Sequence, residues 1–163
     1  MAAEAGAPKQ PKAPRARTPR SAATKRAGAA ELAESQPLLL DTHALLRWLL
    51  DSPELSAGAR QAIANPARRV WVSAASGWEL ATKFRIGKLP QAEDIVVNLP
   101  QYLRKQRFEA LPINVEHALL AGQWPGLHRD PFDRMLMAQA QIEHALVVTL
   151  DPVFGEYGLA VVW

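Results

Sequence analysis

The sequence predicts an α/β fold with a central, mainly parallel sheet and helices on both faces. Three observations predict it. Short apolar runs recur in "PLLLD", "RRVWVSA" and "ALVVTLD", the pattern of strands buried on both faces. Stretches with helical spacing separate them, as in "THALLRWLL" and "PFDRMLMAQAQIEH". Strand and helix patterns also alternate along the chain, which favours parallel pairing through helical crossovers.

Taken in order, "PLLLD" is the first strand and ends in Asp41. "THALLRWLL" follows as a helix, and "DSPELSAGARQAIAN" opens with turn chemistry before a second short helix. "RRVWVSA" is the next strand, and "SAASGWELATKFRIGKL" a helix whose Trp78, Leu80, Ala81 and Phe84 contribute an apolar stripe. Pro90 breaks the pattern. "AEDIVVNLPQYLRKQR" then reads as a helix that is irregular near Pro100, where a backbone donor is missing. "FEALPI" is a third strand, "NVEHALLAGQW" a helix capped by Asn114, and "PGLHRD" a loop. The strongest helix pattern, "PFDRMLMAQAQIEH", leads into the strand "ALVVTLD". A helical turn "PVFGEY" and a terminal strand "GLAVVW" complete the chain. There is no internal repeat.

Composition divides the chain of 163 residues into a tail, residues 1–36, and a folded domain, residues 37–163. The first 35 residues hold seven Lys or Arg, three Glu, four of the thirteen prolines and no aromatic residue. Such a segment buries too little apolar surface to offset the entropy of ordering it, and disorder is the expectation. Its formal charge of +4, set against +3 for the whole chain, leaves about −1 for the domain. A basic tail attracts polyanions without reading sequence; a solvated extension or a start codon placed too early explains it equally. Its Ala- and Arg-rich, acid-poor character also imitates an organelle transit peptide, but it lacks the apolar core of a secretory signal. No apolar run is long enough for a membrane helix, and a cytoplasmic location is the expectation. Without cysteine, a metal site must be built from oxygen or imidazole.

Four acids occupy corresponding places in this topology. Asp41 and Asp151 end strands, Glu79 lies early in the helix after "VWVS", and Asp133 lies in the first turn of the helix before "ALVVTL". All four are placed to reach the carboxyl edge of the sheet, where open α/β sheets bind ligands. Carboxylates gathered in one cleft repel each other and resist desolvation, and a divalent cation relieves both costs. Mg²⁺ or Mn²⁺ in such a cleft can activate water for attack on a phosphodiester. Each acid also has an ordinary structural reading. Asp130 as N-cap and Pro131 as N1 put Asp133 at N3, where an acid favours the helix dipole. Glu79 and Lys83 form an i,i+4 pair, and Asp151 can cap the turn that follows it. Asp41, directly after a Leu triplet and before Thr and His, is the hardest to explain that way.

The segments "LLLDTHALLRWLL", "VSAASGWELATKFRIGKL", "HRDPFDRMLMAQA" and "VVTLDPVFGEYGLAVVW" resemble, in order and spacing, the PIN-domain ribonucleases of bacterial toxin–antitoxin systems, the VapC-like toxins. The resemblance covers about Pro37 to Trp163; the basic tail has no counterpart in it. It implies a three-layer α/β/α sandwich with an acidic pocket for Mg²⁺ or Mn²⁺. By the same resemblance Asp41, Glu79, Asp133 and the more variable Asp151 are the catalytic and metal-binding acids. It implies a metal-dependent endoribonuclease, the toxin of a type II system, which forms a homodimer and is neutralised by a cognate antitoxin. The alternative is a PIN-like binding or scaffold module without catalysis, in which the acids are caps only.

Other residues are assigned more modest roles. Thr42 and Thr149 are strand-end hydroxyls placed to assist the acids, and His43 is read as a packing or hydrogen-bonding residue. Lys83 and Arg134 are placed to touch phosphate, with solvation or ion pairing as their ordinary role. Trp48, Trp71 and Trp78 are assigned to the core rather than to base stacking. The "HRD" tripeptide is not a kinase catalytic loop, since the required Asn and a Gly-rich phosphate loop are both missing.

Overall fold

The computed structural model describes residues 36–126 and 128–163; the expected tail therefore lies, but for Gln36, outside the described residues. Five strands are present: β1 (Leu38–Leu40), β2 (Val70–Ser73), β3 (Glu109–Leu111), β4 (Leu146–Val148) and β5 (Val161–Val162). They form one sheet in the order β3-β2-β1-β4-β5, and every pairing is parallel. β1 lies at the centre, with Leu40 in register with Val72 on one side and Val148 on the other.

Side chains alternate between the two faces of each strand, which explains the continuous apolar runs. Leu38, Leu40, Val70, Val72 and Val148 point into one core with Leu45, Ile63, Leu80, Leu103 and Phe108. Leu39, Trp71 and Val147 point into the other with Leu136, Met137 and Phe154. The first layer is built from α1 (Thr42–Leu49), α2 (Ala57–Ala64), α3 (Ala74–Arg85) and α4 (Glu93–Gln106). The second core is covered by α6 (Pro131–Ile142) and the single turn α7 (Val153–Glu156). α5 (Val115–Gln123) packs against α6. The α/β/α sandwich expected from sequence is the observed architecture.

Two local expectations change. α4 runs unbroken through Pro100, following a 3₁₀ turn at Pro90–Ala92. Ile95, Leu99 and Leu103 anchor both halves of α4 on the first core. Pro100 itself is exposed, where a carbonyl deprived of its helical donor can turn to water. Trp78 is not a core residue: it is 61% exposed, whereas Trp71 is buried and Trp48 packs at the core margin. α3 buries Ala75, Ser76, Glu79 and Leu80, and Trp78 falls on the flank of that stripe.

Candidate active site

Parallel strands bring the residues that follow β1, β2 and β4 to one edge of the sheet. Asp41 leaves β1 and is 6% exposed. Its Oδ1 accepts the Ala44 N–H at 2.5 Å, so it is also the N-cap of α1. Thr149, just beyond β4, donates a hydrogen bond to the same carboxylate, as the pairing of Leu40 with Val148 allows. Burial pushes the Asp41 carboxyl up from the usual carboxylate range; the hydrogen bonds from Thr149 and Ala44 and the charges of His43 and Arg47 only partly oppose it.

Glu79 comes from the second turn of α3 and is 4% exposed. Thr42 Oγ1 donates to its Oε2 at 2.5 Å, and Lys83 Nζ lies 2.5 Å from Oε1. The Thr42 hydroxyl thus ties the residue beside Asp41 to Glu79. The i,i+4 pair expected from spacing exists, but its acid is buried rather than on an exposed face.

Asp133 arrives by a different route. A crossover helix that precedes a parallel strand starts at the carboxyl edge of the sheet, and α6 stands before β4 in this way. Asp130 caps α6 through bonds from the Phe132 and Asp133 N–H groups to its Oδ1, at 2.8 and 3.3 Å, and Pro131 occupies the first turn. Phe132 meets Trp78 edge to face, with centroids 4.8 Å apart. Each ring neighbours one acid in sequence, so this contact brings the Glu79 and Asp133 segments together. Burial again raises the Asp133 carboxyl; the His128 hydrogen bond opposes this, while the charges of Asp130 and Glu79 add to it.

Asp151 is exposed and turns its Oδ1 to the Val153 N–H at 2.9 Å, the capping role that the sequence also allows. Its own N–H donates to Thr149 Oγ1 at 3.0 Å, so Thr149 bridges Asp41 and Asp151. An open cleft of about 400 Å³ joins them, lined by Asp41, His43, Arg47, Leu150, Asp151 and Pro152. His43 is exposed in this cleft and is not a packing residue.

Sequence reasoning gave no role to His128, whose Nε2 lies 2.9 Å from Asp133 Oδ2. A loop residue has no periodicity to expose it; only the spacing to Asp133 within "HRDPFD" was available. Nor is Arg134 a solvated cation or ion-paired. It donates to the carbonyls of Ala121, Trp124 and His128 at 2.7, 2.5 and 3.1 Å, and so holds the segment that carries His128. Gly126 in that segment has φ +128°, and a Cβ there would run into the Tyr157 hydroxyl.

The carboxylates are hard oxygen donors, and two are raised by burial, one of them also by neighbouring negative charge. Such a set suits a divalent cation in donor type and in charge. Among the described residues, however, no three acid or imidazole side chains stand grouped as a ready metal cage. Each of three acids instead has partners of its own: Glu79 is engaged by Lys83 and Thr42, Asp133 by His128, and Asp41 by Ala44 and Thr149.

Residues 38–159 match the model of the PIN domain family. Ribonuclease VapC16 of Mycobacterium tuberculosis is 36% identical over 70 residues, which are 40% of this chain and 48% of that protein. The chain thus spans about half the length of this curated relative. Among solved structures, VapBC2 from Rickettsia felis, bound to a promoter DNA fragment, superposes with a TM-score of 0.56 at 18% identity. It covers 76% of this chain and 96% of the matched one. VapBC-1 from nontypeable Haemophilus influenzae gives 0.53 at 18% identity, covering 76% and 95%. At these identities the likeness speaks for the fold.

Proposed function

The chain belongs to the PIN-domain family, and from that premise we propose that it is a metal-dependent endoribonuclease, the toxin of a type II toxin–antitoxin system. One observation carries the reading: buried Asp41 and Glu79, joined through Thr42, share a sheet edge with Asp133, whose proton affinity burial raises. A nuclease name on the relative from Mycobacterium tuberculosis supports it.

Asp41, Glu79, Asp133 and Asp151 would hold Mg²⁺ or Mn²⁺. When bound, the ion supplies Lewis-acid charge and an acidified water for phosphodiester hydrolysis. The chain's own groups arrange the acids. Thr42 fixes one oxygen of Glu79, Thr149 orients Asp41 toward the cleft it shares with Asp151, and the α6 cap sets the height of Asp133. His128 orients Asp133 through the 2.9 Å contact between its Nε2 and Asp133 Oδ2. Chemistry of this kind does not use the RNA 2′-hydroxyl as nucleophile, and the choice of RNA rests on the family.

We extend the proposal to partners: a cognate antitoxin that covers the acidic cleft, and a homodimer. Exposed Trp78 and Ile113, which border one apolar groove, and Val115 and Leu119, one turn apart on α5, support self-association. A monomer in sedimentation at micromolar concentration would count against the dimer.

The engagement of Glu79 and Asp133 by basic side chains favours a second reading, a PIN-like binding or scaffold module without catalysis. RNA cleavage separates the two. Wild-type protein should cut RNA with Mg²⁺ or Mn²⁺ and stop in chelator, and Asp133→Asn should lower the rate by at least ~100-fold. Uptake of no divalent metal at millimolar concentration by the partner-free wild type would sink the enzymatic reading.

A further inference from the structure

We propose that Lys83 is a tethered counter-cation of the acidic site: its ammonium neutralises Glu79 in the metal-free protein and gives way when a divalent cation binds. The proposal rests on the nuclease reading of the site. It thereby assigns Lys83 the setting of the metal concentration at which the site fills.

The Lys83–Glu79 pair differs from three arginine ion pairs of the described residues. In Arg47–Glu54, Arg60–Asp51 and Arg69–Glu109 the acid side chain is 47–88% exposed. Such pairs contribute little, because water solvates both charges. Glu79 is buried, so its charge needs a partner at all times. Its two oxygens have partners of different kinds. Oε2 is held by Thr42, itself 2% exposed and fixed at the start of α1. Oε1 faces Lys83, whose side chain is 30% exposed. One contact is therefore built in, and the other can be released.

The residue type fits release. A lysine carries a compact charge on a flexible four-carbon stem and returns to water easily, whereas an arginine fork binds a carboxylate in two-point fashion. The position fits too, since Glu79 also acts electrostatically on Asp133. A cation at Oε1 therefore sits in a field made by more than one acid.

The experiment measures Mn²⁺ binding by calorimetry to the full-length, partner-free chain, comparing wild type with Lys83→Met and Lys83→Arg. Thermal melts in chelator and in saturating Mg²⁺ accompany it. Lys83→Met should bind Mn²⁺ roughly tenfold tighter, because an internal competitor is gone. It should melt lower than wild type in chelator and recover most of that deficit in Mg²⁺. Lys83→Arg keeps a cation and should bind Mn²⁺ no tighter than wild type. If Lys83→Met does not fold, Lys83→Gln takes its place with the same expectation. Equal or weaker Mn²⁺ binding by the neutral variant, with an equal deficit in both melts, would make Lys83 a fixed structural partner and overturn the proposal alone. Wild-type protein that takes up no Mn²⁺ would instead overturn the nuclease reading beneath it.

Discussion

Asp41 serves two ends at once. It caps α1, and it is a buried carboxyl whose proton affinity is raised chiefly by desolvation. Between the usual value of 3.8 and its higher folded value, the folded protein keeps a proton that the unfolded chain has released. Stability from this group is therefore complete below 3.8 and is lost as pH rises through the folded value; Asp133 has the same sign. Asn caps as well as Asp does but carries no charge. Melts in chelator from about pH 4 to about pH 8 should show Asp41→Asn gaining on wild type as pH rises. A parallel pH dependence for the two proteins would refute this. Legibility at this scale was uneven. Asp41 announced itself after a Leu triplet, because a strand buried on both faces tolerates an acid only at its end. Trp78 misled, because the helical stripe gives a direction but not the edge of the core; Glu79, not Trp78, occupies the buried side of α3.

The start of α6 shows how an element positions chemistry. Asp130 and Pro131 fix its first turn, and Asp133 follows at a set height on the helix. Asp130→Ala should cost about 1 kcal/mol in urea unfolding, as loss of an N-cap does. It should also lower cleavage, since Asp133 depends on that turn; Asp130→Asn should restore both. Arg134 has a larger structural part, because its guanidinium satisfies three carbonyls of the segment before the helix. Arg134→Met should destabilise by about 1–3 kcal/mol and raise amide exchange around Trp124 and His128. Protection unchanged there would show that the segment holds without it. The cap was legible because capping is local chemistry of adjacent residues. The Arg134 contacts were not, because they join residues up to thirteen positions apart through a loop that follows no period. α4 is the opposite case: a local rule predicted irregularity at Pro100, and packing on the first core overrode it.

At the scale of the whole molecule, positive charge and acidic site are separated along the chain. Residues 1–36 carry the basic excess, and the domain they precede is nearly neutral with buried acids at one sheet edge. If the tail contacts phosphates, its deletion should flatten the plot of log affinity for RNA against log salt. The cleavage rate at saturating RNA should remain, and an unchanged slope would exclude phosphate contacts by the tail. The sequence by itself determined the α/β class, the strand and helix order and the edge on which four acids lie. Those follow from hydrophobic period, end signals and the alternation of strands with helices, all of which act locally or by topology. The i,i+4 spacing already paired Lys83 with Glu79, but only the tertiary structure decided that this acid is buried and what else the acids touch: Thr42 on Glu79, Thr149 between Asp41 and Asp151, His128 on Asp133. The physical reason is that burial and pairing are set by which side chains meet across packed elements, and residues distant in sequence leave no mark of that meeting in any local pattern.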